Sequence, residues 1–209
     1  MIPKRYWLGV LLFVGSIYFV ARSGTPERTP WPKWARATPI PVLCVGLRDG
    51  RCRSVQALWP LDDRRWVTPS VPLQAPVDVL WRRPLTCVPR GTDDRLGPAW
   101  SLWDCSATER PTMEPATWGD LVPGKSIAGY GLRDTDWQEI PLTIVTWEYR
   151  DARWWLIVRP TAPGLLAGTP VWTVPERHMI GLALPPTRPG EDWAVEVTSP
   201  HLTMTPGTP

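Results

Sequence analysis

The chain has 209 residues, a formal net charge of +3, 43% hydrophobic residues and 21% charged ones, which allows one domain or one domain with an appendage. Its 15 Trp supply enough apolar area to offset the entropy of ordering, and its 27 Pro and 16 Gly together stay below the ~25–30% of low-complexity chains. Disorder is excluded on these grounds, and so small a net charge excludes a strongly basic nucleic-acid binder.

The basic residues crowd the start. Residues 1–40 hold Lys4, Arg5, Arg22, Arg28, Lys33 and Arg36 against Glu27, which leaves the remainder slightly acidic. The stretch Tyr6 to Ala21 (YWLGVLLFVGSIYFVA) carries no charge. As a helix it reaches about 24 Å, a little short of a ~30 Å hydrocarbon core. Lys4, Arg5 and Arg22 can snorkel to close the gap. Tyr6, Trp7, Tyr18 and Phe19 put aromatic rings at both ends, the belt of a spanning helix. Residues 1–22 are therefore expected to form a single N-terminal transmembrane helix, with the lipid bilayer as partner through residues 6–21. A cleaved signal peptide is the rival reading. It needs small residues before the cut, and neither Phe19-Val20-Ala21 nor Arg22-Ser23-Gly24 offers them at both positions. Lys4 and Arg5 favour an inside N-terminus, against the competing charges after the span.

Residues 23–41 carry Pro26, Pro30, Pro32, Pro39 and Pro41. Pro lacks an N–H and fixes φ, so the segment reads as an extended, semi-rigid linker. Trp31 and Trp34 have two options, the membrane interface or the domain surface.

From residue 42 to 200 the pattern is short apolar runs broken by turns. Pro41–Leu47 and Arg51–Trp59 flank Asp49-Gly50. Runs around Arg65–Thr68, Val77–Trp81, Leu85–Val88 and Trp100–Trp103 follow. Ser126–Leu132, Pro141–Tyr149 and Trp154–Arg159 come next, the last two joined by Arg150-Asp151-Ala152. Pro170–Val174 and Met179–Leu184 form a hairpin around residues 175–178, and Trp193–Val197 is a final strand. Many short strands at ~8–12-residue spacing, with no 3.6-residue period past the anchor, predict an all-β barrel or sandwich. Residues 201–209 have tail composition.

Four cysteines stand at Cys44, Cys52, Cys87 and Cys105. None forms a C-x-x-C pair and the two histidines are distant, so no metal site is expected. Behind an anchor, an even count suggests two disulfides and an oxidising compartment, which places the globular domain outside the cytoplasm. If Asp49-Gly50 is a two-residue hairpin turn, Leu47 lies opposite Cys52 and Cys44 points to the other face. That favours Cys44 and Cys52 each pairing with one of Cys87 and Cys105.

The order of segments then resembles a known family. Leu165-Leu166-Ala167-Gly168-Thr169-Pro170-Val171, followed by Met179-Ile180-Gly181-Leu182-Ala183, resembles the Gly-Asp/Asn-Ser-Gly-Gly-Pro-Leu/Val stretch and following strand of trypsin-like serine proteases. Trp66-Val67-Thr68-Pro69-Ser70-Val71 is similar to the family's apolar-Leu-Thr-Ala-Ala-His. Residues 118–131 resemble the Gly-x-Ser-x-x-Leu-x-x-Gly pattern of the bacterial HtrA-type subgroup, and Trp100–Trp103 falls where the Asp-bearing strand would. The resemblance covers about residues 40–185 and implies a double β-barrel. It also implies a site in which Ser attacks, His takes its proton and Asp orients the His. The matching positions are Ala167 for Ser, Val71 for His, and Pro98 or Ala99 for Asp. None of these side chains can do the chemistry, so the resemblance implies a domain without a catalytic triad.

Other chemistry is sparse. For a relocated site, Ser70 and Asp78 lie near the matched His position without a His beside them, and His178 and His201 are read as turn and surface residues. There is no H-E-x-x-H, no phosphate loop and no expected cofactor. Asp62-Asp63 and Asp93-Asp94 offer too few oxygens for Ca²⁺. Trp147, Trp154 and Trp155 lie on one hairpin, and Trp154 and Trp155 must face opposite ways. Trp at interfaces buries large area with few rotors, which makes these three interface candidates beside a core role. The sequence thus predicts a non-catalytic, membrane-anchored accessory subunit of a membrane complex, with other protein subunits and no nucleic acid as partners. Its alternatives are a peptide or ligand binder acting through an exposed strand edge, and a hydrolase with a relocated site.

Overall fold

The computed structural model describes residues 31–70, 76–92, 99–121 and 125–203. Tyr6, Trp7, Tyr18 and Phe19, with the whole expected anchor, lie outside the described residues, as do Val71, Pro98 and the Asp93-Asp94 pair. Among the described residues no helix is long and apolar enough to cross a membrane.

The structure is mostly β, as the turn-punctuated pattern predicts. Its first half contains β1 (Val42–Val45), β2 (Ser54–Ala57), β3 (Trp59–Pro60), β4 (Arg65–Pro69), β5 (Val77–Leu80), β6 (Leu85–Gly91) and β7 (Trp100–Ala107). These make two sheets, ordered β2-β1-β5 and β3-β4-β7-β6. The second half contains β8 (Ser126–Arg133), β9 (Asp136–Arg150), β10 (Arg153–Pro160), β11 (Pro170–Val174), β12 (Met179–Leu184) and β13 (Trp193–Val197). These close into an antiparallel barrel in the order β10-β13-β12-β11-β8-β9.

Strand alternation divides the apolar side chains among three cores. Leu43, Leu58, Trp66 and Trp103 fill the first half. Ile127, Ile140, Leu156, Ile180 and Val195 fill the barrel. Between the halves, Val42, Trp59, Val67 and Trp100 meet Leu166 and Leu182. Trp66 and Val67 are adjacent on β4 and serve different cores, so this strand has no solvent face.

Two segments are more ordered than their composition suggests. Lys33–Ala37 of the expected linker is a 3₁₀ turn. Trp34 packs edge-on against Trp137, with ring centroids 6.0 Å apart, and its carbonyl accepts the Trp137 indole N–H. Burial of that indole outweighs the extended preference of the flanking prolines. At the other end Leu202 is fully buried in the barrel core, so the packed unit reaches past residue 200.

The disulfide pairing corrects the expectation. Cys44 bonds Cys52, and Cys87 bonds Cys105. The Asp49-Gly50 turn forms as predicted, with Arg48 paired to Arg51 and both turn residues at positive φ. The failed step is the assumption of an unbroken pleat from Cys44 to Leu47. Gly46 sits at φ +65, its N–H turns to the Pro76 carbonyl, and the strand kinks there. The two Cα atoms of Cys44 and Cys52 come within 5.3 Å. Cys87 and Cys105 stand directly opposite each other on β6 and β7, the simplest geometry for a cross-strand bridge.

Candidate functional site

The resemblance places a catalytic centre between the two halves, where backbone hydrogen bonds join described residues of the matched segments. The Ser70 N–H donates to the Ala99 carbonyl at 2.8 Å, joining the strand ends that carry the His-like and Asp-like positions. Ala167 lies beside β2, and its carbonyl accepts the Ala57 N–H at 2.8 Å. Gly168 approaches β4 so closely that an added Cβ would stand 2.5 Å from Pro69 Cδ.

The loop around Ala167 is committed to the fold. Leu165 and Leu166 are buried. The Leu166 N–H donates to the Tyr130 carbonyl and the Gly168 N–H to the Ala183 carbonyl. Thr169 Oγ1 accepts the Tyr130 N–H at 2.9 Å. At the centre of this loop Ala167 presents a methyl group, which neither ionises nor attacks a carbonyl. Gln56, bridged to Ala167, accepts the Thr68 hydroxyl at 3.2 Å.

The histidines are elsewhere. His201 is exposed on a helical turn, Pro200–Thr203. His178 is more than a turn residue, which the sequence alone did not reveal. Its Nδ1 lies 3.0 Å from Asp120 Oδ1, and its Nε2 lies 3.6 Å from Glu114 Oε2. Asp120 is itself positioned by Thr117, whose backbone N–H and hydroxyl both donate to Oδ2. The Thr117 N–H is the main reason that the Asp120 carboxyl lies below its ordinary range, with His178 adding to the effect. His178 edges a cavity of about 350 Å³ walled by Ile40, Trp59, Met113 and Tyr130. Among the described residues no group of three or more His, Cys, Asp or Glu could hold a metal ion.

The Trp hairpin has two distinct faces. On one face Trp147 contacts Trp118 and Trp154 at 5.3 and 6.5 Å between centroids, and Tyr149 contacts Trp154 at 5.1 Å. These rings extend the barrel core outward, and Tyr149 is 63% exposed. On the other face Trp155 is buried beneath Arg150, whose Cζ stands 4.7 Å from the ring centroid. The opposed directions of Trp154 and Trp155 follow from their adjacency in a strand.

These features define a two-part all-β domain of the kind found in serine proteases. Comparison with solved structures agrees: the chain is similar to the crystal structure of the serine endoprotease from Yersinia pestis, with a TM-score of 0.54 and 16% identity. The match covers 78% of this chain and 61% of the other, so the chain spans about three-fifths of the length of that protein. At this identity the likeness shows the shared fold. No family model and no curated protein matches the chain.

Proposed function

We propose that the chain is a non-catalytic, membrane-anchored protease-like domain that works as a structural or protein-binding accessory subunit of a membrane complex. The observation that carries the reading is Ala167. Ala167 is the residue that the resemblance matches to the nucleophile, and a methyl group cannot attack a carbonyl. Barrels keep their shape without catalytic residues, so a scaffold of this kind is free to serve binding alone. The uncharged stretch at residues 6–21 and the basic surplus around it support attachment to a bilayer. The partly exposed Trp147, Trp154 and Tyr149 rings support a protein interface.

A relocated active site is the second reading, and the Asp120–His178 pair beside its cavity is what favours it. One assay separates the two. Purified full-length chain in detergent, given a fluorogenic peptide library, is expected to hydrolyse nothing above buffer. Cleavage that disappears with His178→Ala or Ser70→Ala would overturn the non-catalytic reading.

A further inference from the structure

A row of aromatic rings leads from the Pro200–Thr203 helical turn to the β9–β10 hairpin. Leu202 of that turn is buried in the same apolar cluster that Trp118, Trp147 and Trp154 pack against. The Ser199 hydroxyl donates to the Ala116 carbonyl, which lies two residues before a 3₁₀ turn at Trp118–Leu121. From Trp118 the ring centroids step 5.3 Å to Trp147, 6.5 Å on to Trp154 and 5.1 Å on to Tyr149.

Strand alternation keeps charge off this shelf. Across the hairpin Trp147 pairs with Leu156 and Tyr149 with Trp154, and Leu156 is buried in the barrel. Glu148, Arg150 and Arg153 alternate with these residues and face the other side. The shelf opens outward, since Trp147 and Trp154 are half-buried and Tyr149 is exposed. Flat, uncharged aromatic faces of this kind suit the rings of an extended proline-bearing segment.

We propose that residues 204–209 of this chain, Met204-Thr205-Pro206-Gly207-Thr208-Pro209, dock on the shelf with Pro206 and Pro209 against its Trp and Tyr rings. Three observations select this occupant. The described chain stops at residue 203, one residue past Leu202, at the start of the ring row. Six residues in an extended proline-type conformation reach about 19 Å, enough to pass Trp118 and cover Trp147. The segment carries no charge, as the shelf carries none. Attachment through Thr203 holds the segment at an effective concentration in the millimolar range. A contact with a Kd of about 1 mM is then half occupied or more. The segment acts as a cover, which a partner must displace before it reaches Trp147 and Tyr149. The inference goes beyond the accessory reading and stands without it.

The test follows the indole N–H signals of the Trp-labelled full-length chain by NMR in zwitterionic detergent, assigned with single Trp→Phe variants. Deleting residues 204–209 keeps Leu202 and the barrel intact. It is expected to move the Trp118, Trp147 and Trp154 signals and to leave Trp66, in the first half, in place. The full-length Pro206→Ala, Pro209→Ala variant should move the same three signals in the same direction. Acetylated Met-Thr-Pro-Gly-Thr-Pro peptide, added to the shortened chain, should return them with a Kd in the millimolar range, since the tether supplies about that concentration. Its Ala-for-Pro counterpart should bind about tenfold more weakly on the scale of ~1.4 kcal/mol per decade. Three signals that stay in place on deletion would overturn the proposal. So would an Ala-for-Pro peptide within about twofold of the original on that scale. Signals that ignore the deletion but move on dilution would assign the shelf to a second copy of the chain. Signals that ignore the deletion but move on transfer to phosphatidylcholine nanodiscs would assign it to the bilayer, and either result overturns the proposal.

Discussion

Gly168→Ala is expected to destabilise the domain by about 3 kcal/mol or more, through two additive causes. Gly168 has φ +77, a conformation that costs a residue with a Cβ roughly 1–2 kcal/mol. The new methyl would also stand 2.5 Å from Pro69 Cδ and 2.8 Å from the Ala57 carbonyl oxygen. Neither neighbour is the end of a flexible side chain, so the halves must separate, and overpacking of this kind costs about 1–3 kcal/mol. At ~2–4 °C per kcal/mol for a domain of this size, the melting temperature should fall by about 10 °C. Thermal unfolding followed by Trp fluorescence measures it directly. A shift of under about 2 °C on that scale would mean that the junction at Ala167 is looser than described.

Replacing Cys87 and Cys105 by serine should cost about 3 kcal/mol, the chain-entropy value for a loop of this length. The bridge has a sequence separation of 18 and joins β7 to β6, the terminal strand of its sheet. Without it, β6 has only its pairing with β7 to hold it in that sheet, and it should fray first. The Cys44–Cys52 bridge closes a separation of 8 and should contribute less. Calorimetry on the two double-serine variants gives the ranking, with the β6–β7 variant melting lower. The reverse ranking, or non-reducing peptide maps that join Cys44 or Cys52 to Cys87 or Cys105, would contradict the pairing.

Local patterns in the sequence carried much of the fold. Short apolar runs between turns predicted the strands, and Asp49-Gly50 and Arg150-Asp151-Ala152 predicted their hairpins. The opposed faces of Trp154 and Trp155 followed from the two-residue period of a strand. The cysteine argument failed at one residue, because counting along a pleat cannot see the positive φ of Gly46. β9 extends from Asp136 rather than from about residue 141. Its polar start, Asp136–Glu139, is held by pairing with β8 and not by its own strand propensity. Trp34 was ambiguous because its partner, Trp137, is 103 residues away.

Less of the site was legible. The order of four weak motifs matched Val71, Pro98 or Ala99, and Ala167 to triad positions, and Val71 and Pro98 lie outside the described residues. His178 looked like a turn residue because Asp120, which holds it, is 58 positions upstream. The buried Glu196 was invisible for a related reason. It is enclosed only when β13 lies beside β10 and the Trp100 indole reaches it from 96 residues away. Long-range pairings of this kind leave no periodicity in the sequence.

The central claim, an accessory subunit with no chemistry of its own, has a direct test. The native membrane is solubilised in mild detergent, the full-length chain is isolated by an affinity tag, and the proteins recovered with it are quantified by mass spectrometry. The account predicts stoichiometric recovery with the other subunits of a membrane complex. Recovery of the chain alone, as a monomer, would contradict it and turn attention to the cavity beside His178.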